Sequence, residues 1–477
     1  MNNFVLFFSL LFFSTGLFAQ QFSQYNTGTL YDAFENPAQK VFILDSSRTV
    51  AFNLFVPAFN SNFYLTGDAQ AQLKSRAFLN RYDSIPLPVG QNRLNRVNAN
   101  FNSYAFMLKV YNNPKGNQEL GFFIQSRAEG KGLFSDESVQ IIPDYTQFTQ
   151  NSYTNVFNTK FYYQVYHQLG FSYRGDITRQ FALGFKLSAL LGVVYNKVDI
   201  DNSYINFDKP NDRAFLSLAG RYHASFEPGK FTKQDLIPSF KNPGAAISVG
   251  ASYRTNDGYF MQWNVKDLGF IHWNKLSKVG HFDNTGVIEG LSTPEREDNV
   301  ASAAATLVQN NSGSRGFTTP VNGKAEFSVA RQYWLNYDRS IKYTPTLILS
   351  KELFYTTFTG ALVNHVQYRN LVATVTTSYD DLKLFNFGAQ LMIKSPNAEF
   401  YIGSERLLQT GRMLSAATSV TSPQITAANR FSGADFFMGF SIKMGRVVER
   451  PENASTMPMS ERKTFIQRLK ERISGHD

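Results

Sequence analysis

Apolar and polar residues alternate strictly along several long stretches of this chain. In Phe161–Arg174 the odd positions Phe161, Tyr163, Val165, His167, Leu169, Phe171 and Tyr173 form an apolar face, while the even positions include Gln164, Gln168, Ser172 and Arg174. Ala434–Met444 repeats the pattern, with Phe436, Met438, Phe440 and Ile442 set against Asp435, Ser441 and Lys443. Leu384–Lys394 does the same, and Phe181–Tyr195 places Phe181, Leu183, Phe185, Leu187, Ala189, Leu191, Val193 and Tyr195 on one face. A period of two is the signature of a β-strand, whose successive side chains point to opposite sides. Soluble strands usually stop at about five or six residues. These runs reach about ten or more, the length that crosses a bilayer at barrel tilt. Their polar faces, rich in Gly, Ser, Asn and Gln with charges of both signs, suit a wet lumen. A bilayer offers nothing to pair an open sheet edge, so the sheet is expected to close.

The pattern predicts an all-β fold: a transmembrane antiparallel β-barrel of about fourteen strands (twelve to sixteen). The strands are expected near 47–56, 99–111, 118–128, 160–174, 181–197, 245–254, 259–266, 323–332, 343–353, 357–367, 370–378, 383–394, 397–405 and 433–444. Alternate connections are then short, among them Asn112–Asn117, Gly175–Gln180, Thr255–Gly258 and Tyr368–Arg369, and some carry turn chemistry such as Asn256-Asp257-Gly258. The intervening connections include long ones at 57–98, 129–159, 198–244, 267–322 and 406–432. That asymmetry matches bacterial barrels, with short periplasmic turns and long external loops. Tyr104, Tyr111, Tyr163, Tyr173, Tyr195, Tyr253, Tyr259, Trp263, Tyr379 and Tyr401 fall near segment ends and are expected to form interfacial girdles. Ala69–Arg81 has helix propensity, with Thr66 or Asp68 as its cap.

The two ends break the pattern. Met1–Ala19 is an apolar stretch closing on a small residue, which fits a cleaved secretory signal peptide, although no Lys or Arg precedes it. Residues 20–46 precede the first strand and are long enough to fold back into the lumen as a hatch, or to form a periplasmic cuff. The barrel spans 47–445. Residues 446–477 form a periplasmic linker and tail. Its Ser460–Ser474 stretch reads as an amphipathic helix, with Phe465, Ile466, Leu469 and Ile473 on one face and basic residues on the other. That helix suits a periplasmic protein partner or the membrane surface.

Composition narrows function. The chain has 477 residues, a formal net charge of +10, 15% aromatics and no cysteine. Absence of cysteine excludes disulfide scaffolds, Cys-ligated zinc, iron–sulfur clusters and thiol catalysis. Export makes nucleic acid an unexpected partner despite the basic balance, which better suits anionic outer-membrane lipid and lipopolysaccharide. No cofactor motif is present. The six histidines lack metal-site spacing, and no Gly-x-Ser-x-Gly elbow occurs. The acidic group Asp199, Asp201, Asp208 and Asp212 lacks calcium-loop spacing. The chain is therefore not expected to be an enzyme. A catalytic set assembled from distant strands would show itself as a Ser–His contact on the outer face. The functional candidates are charges on the lumen-facing register: Arg174, Lys186, Lys266, Lys324, Glu326, Glu352, Glu399, Asp435 and Lys443. Inside a barrel such charges tune selectivity, or pair to close it, or are simply solvated by a wet lumen.

The stretch Gln21-Phe22-Ser23-Gln24-Tyr25-Asn26-Thr27-Gly28-Thr29-Leu30-Tyr31-Asp32-Ala33-Phe34-Glu35-Asn36-Pro37-Ala38-Gln39 resembles the opening of a family of uncharacterised outer-membrane barrels of Bacteroidota. It is also similar to PorP/SprF-type membrane proteins of the type IX secretion and gliding system. The Asn-Pro-Ala element alone is similar to FadL-like fatty-acid transporters, fourteen-stranded barrels with an N-terminal hatch. The resemblance implies an outer-membrane barrel with a plugged or gated lumen, in which Asn36, Pro37 and Ala38 belong to the hatch. The charge of the lumen argues against a purely hydrophobic cargo. The leading expectation is passive or gated transport of small solutes, amphiphilic ones among them. The alternative is a non-conducting scaffold or accessory subunit of a Bacteroidota envelope or type IX secretion machine.

Overall fold

The computed structural model describes residues 22–41, 49–53, 56–111, 117–226, 232–310, 312–354, 357–380, 383–419, 421, 425–427 and 431–445. The expected signal peptide and the tail with Phe465, Ile466, Leu469 and Ile473 lie outside these residues.

Fourteen antiparallel strands close into a barrel. In chain order they are β1 (Val50–Asn53 and Ala58–Thr66), β2 (Leu94–Tyr111), β3 (Gln118–Ser135), β4 (Lys160–Asp176) and β5 (Phe181–Asp208). Then come β6 (Pro243–Arg254), β7 (Tyr259–Trp273), β8 (Lys324–Arg331), β9 (Ile341–Glu352) and β10 (Phe358–Tyr368). The last four are β11 (Leu371–Asp380), β12 (Phe385–Lys394), β13 (Ala398–Ser404) and β14 (Phe431–Met444). Each strand pairs with its neighbour in the chain, and β14 closes on β1 with Phe59 opposite Met438 and Thr66 opposite Phe431. Six short connections lie at one rim, and the other rim carries all five long ones together with two short ones, after β9 and β11.

The wall is turned inside out relative to a soluble protein. Phe171 is 67% exposed and Leu391 58%, whereas Lys186 and Gln168 are fully buried. A polar face inside and an apolar face outside is what alternation produces when the solvent around the sheet is lipid. Among the described residues no helix is long and apolar enough to cross a membrane. At the short-turn rim Tyr253, Tyr259, Tyr333, Trp334 and Tyr368 point outward. The Arg331 guanidinium lies 4.8 Å from the Tyr259 ring centre and 5.4 Å from that of Tyr333. Such pairs hold amphipathic rings at an apolar–water boundary.

Above the long-loop rim β5 runs on past the barrel. Its lower half pairs with β6, and its upper half pairs with Arg213–Ala224, which in turn pairs with Lys278–Glu289. With the helix Arg296–Gln309 these strands enclose a separate apolar core of Phe148, Ile205, Phe207, Leu216, Phe282, Ile288 and Leu307.

Several boundaries differ from the sequence reading. The first strand continues to Thr66, well beyond 56, and 198–244 and 267–322 contain the cap strands rather than loop alone. The helix expected at 69–81 is Gln70–Leu79, and neither Thr66 nor Asp68 caps it. Instead the Asn95 carboxamide accepts from Ala69 N at 2.8 Å, while Asp68 pairs with Arg93 at 2.8 Å. In β5 the apolar face does not persist to Tyr195. The register slips where Tyr166 pairs with Gly192 and Val165 with Val194, leaving Val193 as a bulge. A single extra residue turns every later side chain to the other face, so Tyr195 is buried. Tyr104 and Tyr401 also leave the expected girdle and point inward.

Candidate functional site

The lumen is occupied by residues 22–41 of the chain itself. A short helix, Leu30–Glu35, forms because Thr29 caps it, accepting from Asp32 N at 3.2 Å. The chain reaches that cap through Gly28 at φ +61°, a left-handed conformation that glycine adopts without penalty. The Asp32 carboxylate accepts from Gly28 N at 3.0 Å. The helix stops at Asn36 because the following proline disfavours helical geometry in the residue before it, and Asn36 is extended.

This inner segment is held on both its faces. Leu30, Tyr31, Ala33 and Phe34 pack with Tyr104, Phe123, Tyr401 and Phe437 of the wall. The Phe34 ring lies 5.4 Å from that of Phe123, and full burial of such a side chain is worth about 1.5–3 kcal/mol. The polar contacts come from around the circumference. Tyr31 OH accepts from Asn60 at 3.0 Å, and Glu399 accepts from Leu30 N at 2.6 Å. Glu405 accepts from Ser23 N at 2.7 Å, and His365 Nε2 lies 3.0 Å from Tyr25 O. Gln262 donates to Gln39 at 2.7 Å, and Lys394 donates to Thr27 O.

Asn36, Pro37 and Ala38 sit against a slot in the wall. Gly184 and Gly250 are cross-strand partners on β5 and β6. A Cβ on Gly184 would lie 2.0 Å from Pro37 O, and one on Gly250 would lie 2.6 Å from Asn36 Oδ1. Only glycine allows the backbone of 36–38 to approach this closely. Arg174 Nε donates to Ala38 O at 2.9 Å, with Ser252 at 3.4 Å, and Asn36 Oδ1 accepts from Ala38 N.

The candidate charges all lie on the inner face, and most are paired. Lys266 Nζ is 3.0 Å from both Glu35 and Glu326. Lys443 meets Glu399 at 3.0 Å, Arg174 meets Asp176 at 2.6 Å, and Lys186 meets Asp267 at 3.3 Å. Glu352 pairs with Lys131. Asp435 accepts from the backbone N–H groups of Glu405 and Arg406, each at 2.8 Å. Lys324 is half-buried beside them. Sequence reasoning missed Glu35, Lys109, Glu119, Arg127, Asp267, Glu405 and Arg406. Arg127 bridges Asp267 at 2.6 Å and Glu35 at 3.6 Å, and Lys109 and Glu119 pair at 3.5 Å. Lys109 and Glu119 carried a usable signal, a lone charge between strand residues. Glu35 carried none, since its partners lie on β2, β3 and β7.

Between the inner segment and the long-loop rim lies a polar chamber of about 170 Å³, floored by Tyr25, Tyr31, Asp32, Glu35 and Asn36.

On the outer wall Ser126 Oγ lies 2.8 Å from His167 Nδ1, and His167 Nε2 lies 3.0 Å from Leu236 O. The carbonyl fixes the tautomer with hydrogen on Nε2, so Nδ1 accepts from the Ser126 hydroxyl. Among the described residues no carboxylate or amide side chain bonds this histidine. The contact clips the segment around Leu236 to the barrel wall and satisfies both ring nitrogens. Asp199, Asp201 and Asp208 are engaged by Arg221, Lys197 and Arg213, and among the described residues no metal-ligating group of three is gathered.

A closed β-barrel of the outer-membrane type, with its own N-terminal segment folded into the lumen, is the class these features define. The chain belongs to the family of unknown function DUF5723, whose model matches residues 51–405. No curated protein matches the chain. Among solved structures it is similar to the toluene transporter TbuX of Ralstonia pickettii, at 9% identity over 87% of this chain and 94% of that one, with a TM-score of 0.41. The toluene transporter TodX of Pseudomonas putida shares 6% identity over 90% and 93% of the two chains, with a TM-score of 0.38. The translocator domain of the autotransporter NalP from Neisseria meningitidis shares 8% over 84% and 91%, with a TM-score of 0.34.

Proposed function

We propose that this protein is an outer-membrane barrel that admits small, polar or amphiphilic solutes through a lumen gated by residues 22–41. On this reading Met1–Ala19 is a cleaved export signal, the short turns face the periplasm and the apolar wall contacts outer-membrane lipid and lipopolysaccharide. The resemblance at 21–39 supports a Bacteroidota barrel akin to the PorP/SprF type. The observation that carries the gate is the manner of attachment. The inner segment is held by hydrogen bonds, ion pairs and two apolar clusters, one around Leu30, Tyr31 and Phe34 and one around Phe22 and Tyr25, and among the described residues no disulfide ties it to the wall. Asn36, Pro37 and Ala38 are its seat, and Arg174, Lys266 and Glu399 are its side-chain latches. A solute enters through the long loops, collects in the polar chamber and passes when the segment unseats.

A second reading is a sealed scaffold of an envelope machine, with the Phe465, Ile466, Leu469 and Ile473 face of the tail docking a periplasmic protein. The close pairing of the lumen charges favours it. Conductance of the refolded protein in planar bilayers, with and without 22–41, separates the two. Gating predicts a closed full chain and a conducting deletion. If neither conducts while both migrate as folded barrels, transport is refuted and the scaffold stands.

A further inference from the structure

The chemistry of the chamber above the inner segment selects its occupant. Two adjacent strands present a ladder of carboxamides to it: Asn60 and Asn62 from β1, and Asn98, Asn100 and Asn102 from β2. Carboxamides offer both donors and acceptors, the equipment for hydroxyl groups. Nine acidic and four basic side chains complete the lining, so acids outnumber bases there even though the chain as a whole is basic. Three of the cations are already engaged. Arg127 and Lys266 are tied to Asp267, Glu35 and Glu326. Arg406 donates to Asn386 at 3.0 Å and lies over Tyr64.

The lining also holds deeply buried acceptors without a partner. These are Asn264 Oδ1, Asn322 Oδ1 and Glu405 Oε2, on residues that are 4%, 7% and 5% exposed. A buried acceptor left unmade costs free energy that a donor-bearing ligand recovers. An apolar guest would leave all of them unpaired, and an anion would meet a surplus of like charge.

We propose that this chamber binds a small organic cation bearing several hydroxyl groups, of the size and chemistry of an amino sugar. Its ammonium lies toward Glu405 and its hydroxyls along the asparagine ladder. The proposal rests on the gated-passage reading and names the solute class that reading leaves open. Binding is measured at equilibrium on the closed full chain, without conductance, so the two can fail separately.

The test is titration calorimetry of the full-length protein in detergent with glucosamine, glucose and glucuronate at low ionic strength. Glucosamine should bind about tenfold or more tightly than glucose, and glucuronate should be weakest. Glu405→Gln should remove most of the preference for glucosamine over glucose, and added salt should erode it. Asn100→Leu should weaken both glucosamine and glucose while keeping their ratio, a second readout should Glu405→Gln fail to fold. Equal binding of glucosamine and glucose, tighter binding of glucuronate, or no binding of any of the three overturns the proposal.

Discussion

Replacing Gly184 with alanine adds one methyl group to the wall and leaves the inner segment's own sequence untouched. The new Cβ would stand 2.0 Å from Pro37 O, 2.3 Å from Pro37 C and 2.7 Å from Ala38 N. All three are backbone atoms, so no side-chain rotation relieves the clash. Restoring a normal contact requires residues 37–38 to retreat by about 1.5 Å. That retreat breaks the 2.9 Å bond from Arg174 and the weaker one from Ser252. Losing one charge-assisted and one neutral hydrogen bond costs about 3 kcal/mol, or about a hundredfold in the ratio of seated to unseated segment. Gly250→Ala should have a smaller effect, because its Cβ mainly meets the Asn36 carboxamide at 2.6 Å, which can turn aside. Gly360→Ala is the control, since its Cβ meets only Leu349 Cδ2 at 3.8 Å. The assay is open probability in planar bilayers, with folding checked by heat-modifiable migration. The expected order is Gly184→Ala above Gly250→Ala, with Gly360→Ala at the wild-type level. A folded Gly184→Ala barrel that opens no more often than wild type would refute the slot as the seat of a gate.

Lys266→Met leaves Glu35 and Glu326 buried without their shared cation, a loss of about 3–5 kcal/mol. Thermal unfolding in detergent should shift down clearly, and neutralising both carboxylates in the same chain should restore part of it; an unchanged midpoint contradicts the pairing. At the start of the loop after β3, burial pushes the Asp136 carboxyl up to about 6. The folded form then holds its proton more tightly than the unfolded one, so this contribution is present at acid pH and is lost as pH rises towards 6. Hydrogen exchange at the start of β2 and the end of β3, where Asn95 donates to Asp136, should quicken over that range, and Asp136→Asn should abolish the dependence; a flat profile in the wild type counts against it. His167→Ala removes the clip at Leu236 and should speed tryptic cleavage at Lys241. Ser126→Ala should leave hydrolysis of a fluorogenic phospholipid at background, and a serine-dependent ester hydrolysis would recast the clip as a catalytic pair.

The barrel was legible because its signal is local. Alternation in Phe161–Arg174 or Ala434–Met444 sets inside against outside residue by residue, and each short turn is written in adjacent positions. The reading failed where one residue changed the phase, as at Val193, and where a strand outran the bilayer, as β5 does. It failed again for the cap, whose strands Arg213–Ala224 and Lys278–Glu289 carry the same period as wall strands but pair above the rim. The lumen charges Lys186, Lys266 and Lys443 could be placed from register alone. Their partners could not. Glu35 meets Lys266 across a separation of 231 residues, and no spacing in the chain announces that contact. The glycine pair at 184 and 250 was equally silent, since a glycine in a strand looks the same whether it faces lipid, water or another backbone.

The contacts of the inner segment also order events in time. Ser23 bonds Glu405 across 382 positions, Leu30 bonds Glu399 across 369, and Val41 meets Lys443 across 402. The segment leaves the ribosome before any strand, yet several of its partners belong to the last two strands made. It has no complete berth until β13 and β14 are in place, so seam closure and docking form one late, cooperative step. A chain truncated within β12 would lack the seam and those anchors together. Contacts of such range make for slow folding. While the cell assembles the barrel, a segment synthesised before every strand of the wall is therefore the last to settle.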